Sequence, residues 1–103
     1  MKNYDAIVIG AGQAGPSLAA DLVSENLKTA IIERKLFGGT CVNTGCIPTK
    51  TLVASARVAH MVRRGEEFGI EITGDIKMDM KKVKARKDAV VKQSNKGVTG
   101  WMK

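Results

Sequence analysis

The chain has 103 residues, 44% of them apolar, and a formal net charge of +7. That length suits one small domain with a modest core and an ordinary globular composition. It contains no apolar run long enough to span a membrane. No basic stretch followed by a processed apolar segment precedes the first strand-like residues, so a secretion signal is not expected and a cytoplasmic location follows by default.

Taken in chain order, Tyr4 to Ile9 (YDAIVI) is a nearly continuous apolar run ending at Gly10, the pattern of a buried parallel strand. Gly10 to Gly15 is glycine-rich. Ser17 to Glu25 has helical apolar spacing through Leu18, Ala19, Leu22 and Val23, with Pro16 near the first turn, where proline is tolerated. Lys28 to Glu33 (KTAIIE) is a second buried strand, so strand, tight turn, helix and strand make a βαβ unit. Arg34 to Thr44 is expected to be a loop. Gly45, Cys46 and Pro48 mark a helix start, and the Ala-, Val- and Leu-rich stretch to about Arg64 predicts a long, mostly buried helix ending at Gly65. Phe68 to Thr73 is expected to be extended. Asp79 can cap a further amphipathic helix with a sparse apolar face of Met80, Val83, Val90 and Val91, ended by Gly97 and Gly100.

The basic excess is uneven. Between Lys77 and Lys103 nine basic residues stand against Asp79 and Asp88 and carry the whole +7. A basic segment can be the footprint of nucleic-acid binding. This one lacks interleaved aromatics for base stacking, and a solvated lysine face is the simpler reading. Neither a nucleic acid nor a membrane is expected as partner.

Gly10-Ala-Gly12-Gln-Ala-Gly15 is a G-x-G-x-x-G sequence between a predicted strand and a predicted helix, the context that gives this motif its meaning. Gly10 makes the tight turn, Gly12 lets a pyrophosphate approach the backbone, and Gly15 lets helix and strand pack closely. The helix N-terminus offers unpaired N–H groups and the positive end of its dipole to phosphate. Glu33, at the end of the second strand, can accept hydrogen bonds from both ribose hydroxyls of an adenosine and would repel a 2′-phosphate. FAD or NAD therefore fits better than NADP. The fold class is α/β: a Rossmann-like but incomplete domain, because two parallel strands do not make a complete sheet of that kind. The chain is expected to be one segment of a larger protein.

Cys41 and Cys46 are the only cysteines. In a reducing compartment a close pair is more often catalytic, redox-active or metal-binding than structural. Residues five apart in a regular helix have Cα atoms roughly 8–9 Å apart, whereas a disulfide requires less than about 7 Å. If the two pair, the segment between them is not ordinary helix, and Asn43 and Gly45 supply the backbone freedom. Cys46 would then sit at a helix N-terminus, which favours thiolate. Three other readings compete. A structural zinc site needs four ligands and an iron–sulfur site more cysteines, while only the distant His60 is at hand, so no metal is expected. A purely structural disulfide would close a very short loop. His60 itself is read as packed or exposed on the long helix, not catalytic.

Together YDAIVIGAGQAG, Glu33 and GGTCVNTGCIPTK resemble the pyridine nucleotide-disulfide oxidoreductases, a family that includes dihydrolipoamide dehydrogenase, glutathione reductase and mercuric reductase. The resemblance is strong from about Tyr4 to His60. It implies FAD as cofactor, with NADPH or NADH as reductant bound by a domain outside these residues. It implies that Cys46 contacts the flavin, that Cys41 is the interchange thiol meeting the substrate, and that Lys50 lies near the flavin ring. Glu33 would hold the adenosine ribose, and Arg34, Gly38, Gly39 and Thr40 would join Gly10, Gly12 and Gly15 in binding FAD. Residues 1–103 would then be the N-terminal part of the FAD-binding domain, without the NAD(P)H and dimerisation domains of a homodimeric enzyme. The substrate would be a small-molecule or protein disulfide, or a soft metal ion. GQAGPSLAADL and CIPTKTLVASARVAH look most like the mercuric reductases. The alternative is a non-catalytic FAD- or NAD-binding module.

Overall fold

The computed structural model describes all 103 residues. Two short strands, β1 (Ala6–Ile9) and β2 (Thr29–Ile32), flank helix α1 (Gly15–Ser24). Helix α2 (Gly39–Asn43) and helix α3 (Cys46–Arg63) follow. A 3₁₀ turn (Gly65–Phe68) and an irregular segment then lead to α4 (Met80–Trp101).

The strands pair in parallel, from Ala6 opposite Thr29 to Ile9 opposite Ile32, and the Gly10 N–H carries the ladder one step further by donating to Ile32 O at 2.7 Å. Alternation along β1 turns Val8 towards α1 and leaves Ile7 and Ile9 on the open face. Pro16 falls in the first turn of α1, where its missing N–H has no intrahelical role, and it is buried. The helix stops at Asn26, whose φ of +62° is one that asparagine tolerates. The βαβ unit is present as expected, but its strands are not fully buried: Ile7, Ile9 and Ile32 are exposed, because α1 covers only one face of the two-stranded sheet.

Four further expectations are corrected. The segment before the second cysteine is not all loop, because Gly39–Asn43 forms a short helix. The long helix is not mostly buried. Thr51 is its one buried residue, while Leu52, Val53, Val58 and Met61 are all more than 40% exposed. The reason is its cover: α3 lies along α4 and touches α2 at one end, with no sheet across its other faces. Phe68 closes the 3₁₀ turn instead of starting a strand. Gly69 turns the chain, and Ile70–Thr73 finds no strand partner. Finally, α4 continues through Gly97 and Gly100 to Trp101. Neither glycine takes a positive φ, and a helical glycine weakens a helix without ending it.

The α3–α4 pair gives the chain its shape. Its principal extents are 68 × 24 × 17 Å and its radius of gyration is 20.3 Å, against about 13 Å for a compact domain of this length. No helix is long and apolar enough to cross a membrane. The start of α4 is built as the sequence predicts: the Asp79 carboxylate accepts from the N–H groups of Lys81 (3.0 Å) and Lys82 (3.2 Å). Replacing Asp79 with Ala is expected to cost about 1 kcal/mol of α4 stability. Urea titration followed by far-ultraviolet circular dichroism would measure it.

Candidate functional site

The glycine turn is shaped by what its neighbours leave no room for. A Cβ at Gly15 would lie 1.9 Å from the carbonyl oxygen of Gly10, so only glycine brings α1 this close to the turn. The position of a Cβ on Gly12 is open, with no atom within 4 Å. The first turn of α1 has neither a side-chain cap nor an acidic residue. Its N–H groups remain available to an anion. These features fit a pyrophosphate lying over Gly12.

The turn is gripped by the segment that follows β2. Ala11 is fully buried. Its N–H donates to Glu33 Oε2 at 2.9 Å, and its carbonyl accepts from the Gly38 N–H at 2.7 Å. The Lys35 N–H donates to the other Glu33 oxygen at 2.9 Å. The Ala11 N–H first, and then that of Lys35, holds the Glu33 carboxyl below its ordinary value. Each oxygen keeps a further lone pair, so the carboxylate can still accept from ribose hydroxyls. Arg34, Gly39 and Thr40 line a cleft of ≈ 370 Å³ together with Glu33.

The cysteines lie directly beyond this grip. Gly39, at φ +63°, packs on Gly12 so closely that a Cβ would come 2.8 Å from the Gly12 Cα. Gly39 opens α2, which carries Cys41. The helix breaks at Thr44 and Gly45, and Cys46 is the first residue of α3. The segment between the cysteines is thus not continuous helix, and Pro48 falls in the first turn of α3. Both cysteines are free thiols, Cys41 half-buried and Cys46 exposed. Hydrogen bonding between the two sulfurs, helped by desolvation, raises the Cys41 pKa, and the charge of Lys50 opposes that rise. Lys50 lies one turn past Cys46 on α3 and is exposed. His60 is exposed on α3.

Sequence reasoning missed Asn95 and took Asn43, which lies within α2, only as a source of backbone freedom. Asn43 Nδ2 donates to Phe37 O (3.1 Å) and Gly39 O (2.9 Å), and Asn95 Nδ2, from α4, donates to Phe37 O (2.7 Å) and Asn43 Oδ1 (3.2 Å). Nothing in the local sequence around Asn95 signals a contact 58 residues away.

A βαβ unit with an open glycine turn is thus packed against a helix that carries one of two free thiols. The chain belongs to the pyridine nucleotide-disulphide oxidoreductases, whose family model matches residues 4–103. It is 39% identical over 102 residues to a dihydrolipoyl dehydrogenase of Acholeplasma laidlawii, covering 99% of this chain and 30% of that protein. It is 40% identical over 100 residues to that of Bacillus subtilis, and 43% over 102 residues to that of Rhizobium etli. These matches cover 97% and 99% of this chain and 21% of each relative. The chain thus spans less than a third of the length of these relatives.

Two outcomes follow from the grip on the turn. Gly15→Ala is expected to displace the turn and abolish dinucleotide retention, as measured by flavin fluorescence after gel filtration. Because folding depresses the Glu33 pKa, its contribution to stability is full above the ordinary carboxyl value of 4.5 and is lost as pH falls through the lower folded value. The stability advantage of the ligand-free wild type over Glu33→Gln is therefore expected to shrink across that acid range, as measured by thermal melts at a series of pH values.

Proposed function

We propose that this chain is the N-terminal part of the FAD-binding domain of an NAD(P)H-linked dithiol–disulfide oxidoreductase, with Cys41 and Cys46 as its redox pair. The observation that carries this reading is the packing of Gly39 on Gly12, which sets the cysteine helix directly against the phosphate-binding turn. In this reading Gly10, Gly12 and Gly15 receive the pyrophosphate, helped by Arg34, Gly38, Gly39 and Thr40 along the cleft. Glu33 holds the adenosine ribose. Lys50 sets a positive charge beside the pair and the flavin.

When bound, FAD exchanges two electrons with a nicotinamide cofactor on one side and with the cysteine pair on the other. The protein's own part is thiol chemistry. Cys46, at the helix N-terminus, stays on the flavin side, and Cys41 exchanges with substrate through a mixed disulfide. The pair moves between disulfide and dithiol by taking up two electrons and two protons, and the substrate moves oppositely. The relatives' name, dihydrolipoyl dehydrogenase, favours a small dithiol or its disulfide as substrate over a soft metal ion. The full-length protein is read as a cytoplasmic homodimer on the family pattern, its NAD(P)H and dimerisation domains lying outside these residues.

Titration of the full-length protein with NADH or NADPH, followed by visible absorption, tests the reading. A flavin spectrum that develops a long-wavelength thiolate–flavin band, absent from Cys46→Ser, is the expected outcome. Flavin bleaching without that band in the wild type would overturn it in favour of a simple dinucleotide-binding module.

A further inference from the structure

Helix α4 reaches the cysteine segment at two points. Arg86 Nη1 donates to Thr51 O at 3.0 Å and to Ser55 Oγ at 3.2 Å, tying α4 to the middle of α3. Nine residues later, Asn95 donates to Phe37 O and to Asn43 Oδ1. The second contact differs in kind from the first. Phe37 immediately precedes the Gly38-Gly39 pair from which α2 starts, and Asn43 is the last residue of α2. Asn95 therefore holds both ends of the five-residue helix in whose middle Cys41 sits.

The two amides are mutually oriented. Asn43 gives both of its N–H donors to the carbonyls of Phe37 and Gly39, which turns its oxygen towards Asn95. Asn95 answers with donors to that oxygen and to Phe37 O. Turning either amide over would set a carbonyl oxygen against Phe37 O, so the network has one satisfied arrangement. A helix of five residues has too few internal hydrogen bonds to hold its own position.

We propose that Asn95 is a positioning residue that holds α2, and with it Cys41, in place relative to Cys46, so that α4 sets the redox equilibrium of the pair. This rests on the reading of Cys41 and Cys46 as a redox pair. Forming their disulfide requires the two Cα atoms to stay within a narrow range. A loosened α2 lowers the effective concentration of one thiol at the other. In the exchange, the dithiol gives two electrons and two protons to oxidised glutathione, yielding the intramolecular disulfide and two molecules of reduced glutathione.

The test equilibrates the full chain in glutathione redox buffers, traps free thiols by alkylation and measures the Cys41–Cys46 disulfide by mass spectrometry. Asn95→Asp keeps the side-chain shape but sets a carboxylate against two acceptors, and Asn95→Ala, an intrinsic helix former, removes the group. Each loses both Asn95 side-chain hydrogen bonds and is expected to lower the disulfide-forming equilibrium constant by at least about fivefold, the effect of one ordinary hydrogen bond. Arg86→Lys, which loosens α4 from α3 alone, is expected to lower the melting temperature while leaving the wild-type equilibrium in place. An unchanged equilibrium in both folded Asn95 variants, or an equal fall in Arg86→Lys, would overturn the proposal. A wild-type chain that forms no Cys41–Cys46 disulfide in oxidising buffer would overturn the redox pairing itself, and the proposal with it.

Discussion

Everything that gives this chain a chemical character depends on the contact between two backbone segments, Gly10–Gly15 and Gly38–Gly39. Ala11 is held from both sides, by the Glu33 carboxylate on its N–H and by the Gly38 N–H on its carbonyl. Gly39 then approaches Gly12 to a distance that no other residue allows. Buried backbone groups must find partners, and here the partners come from the next βα connection and not from the turn itself. One set of contacts therefore shapes the glycine turn, orients the Glu33 carboxylate and places the cysteine helix.

The rest of the architecture radiates from that contact. The parallel strands bring the ends of β1 and β2 side by side, so Glu33 reaches Ala11 across 22 residues of sequence. Helix α2 leads into α3 through a break at Thr44 and Gly45, which separates the helices carrying the two thiols. Helix α4 returns along α3 and joins the cysteine segment through Asn95. Its basic surface is partly neutralised within the helix, where Lys84 and Lys87 both pair with Asp88. Such exposed pairs add little stability, so what fixes α4 is its contact with α3 and its hydrogen bonds to the cysteine region.

The chain presents much apolar surface around this site. Ile7, Ile9 and Ile32 stand on open strand faces, and Val53 and Val58 on an open side of α3. A parallel sheet is normally covered on both faces, and here α1 covers one. The sequence reading took the strands and α3 as buried, because an apolar run does not say which of its sides is covered. That depends on which elements lie opposite.

The sequence by itself determined whatever is local. The strand–glycine turn–helix order, the carboxylate at the end of the second strand, the Asp79 cap, and a helix beginning at the second cysteine all follow from backbone propensities acting over a few residues. Tertiary structure decided the rest. That Glu33 accepts from the Ala11 N–H in the turn, that α2 forms at all, that α3 is largely exposed, and that Asn95 reaches Phe37 and Asn43 are long-range facts. Each depends on which chain segment comes to lie opposite, and the residues concerned carry no local mark of it.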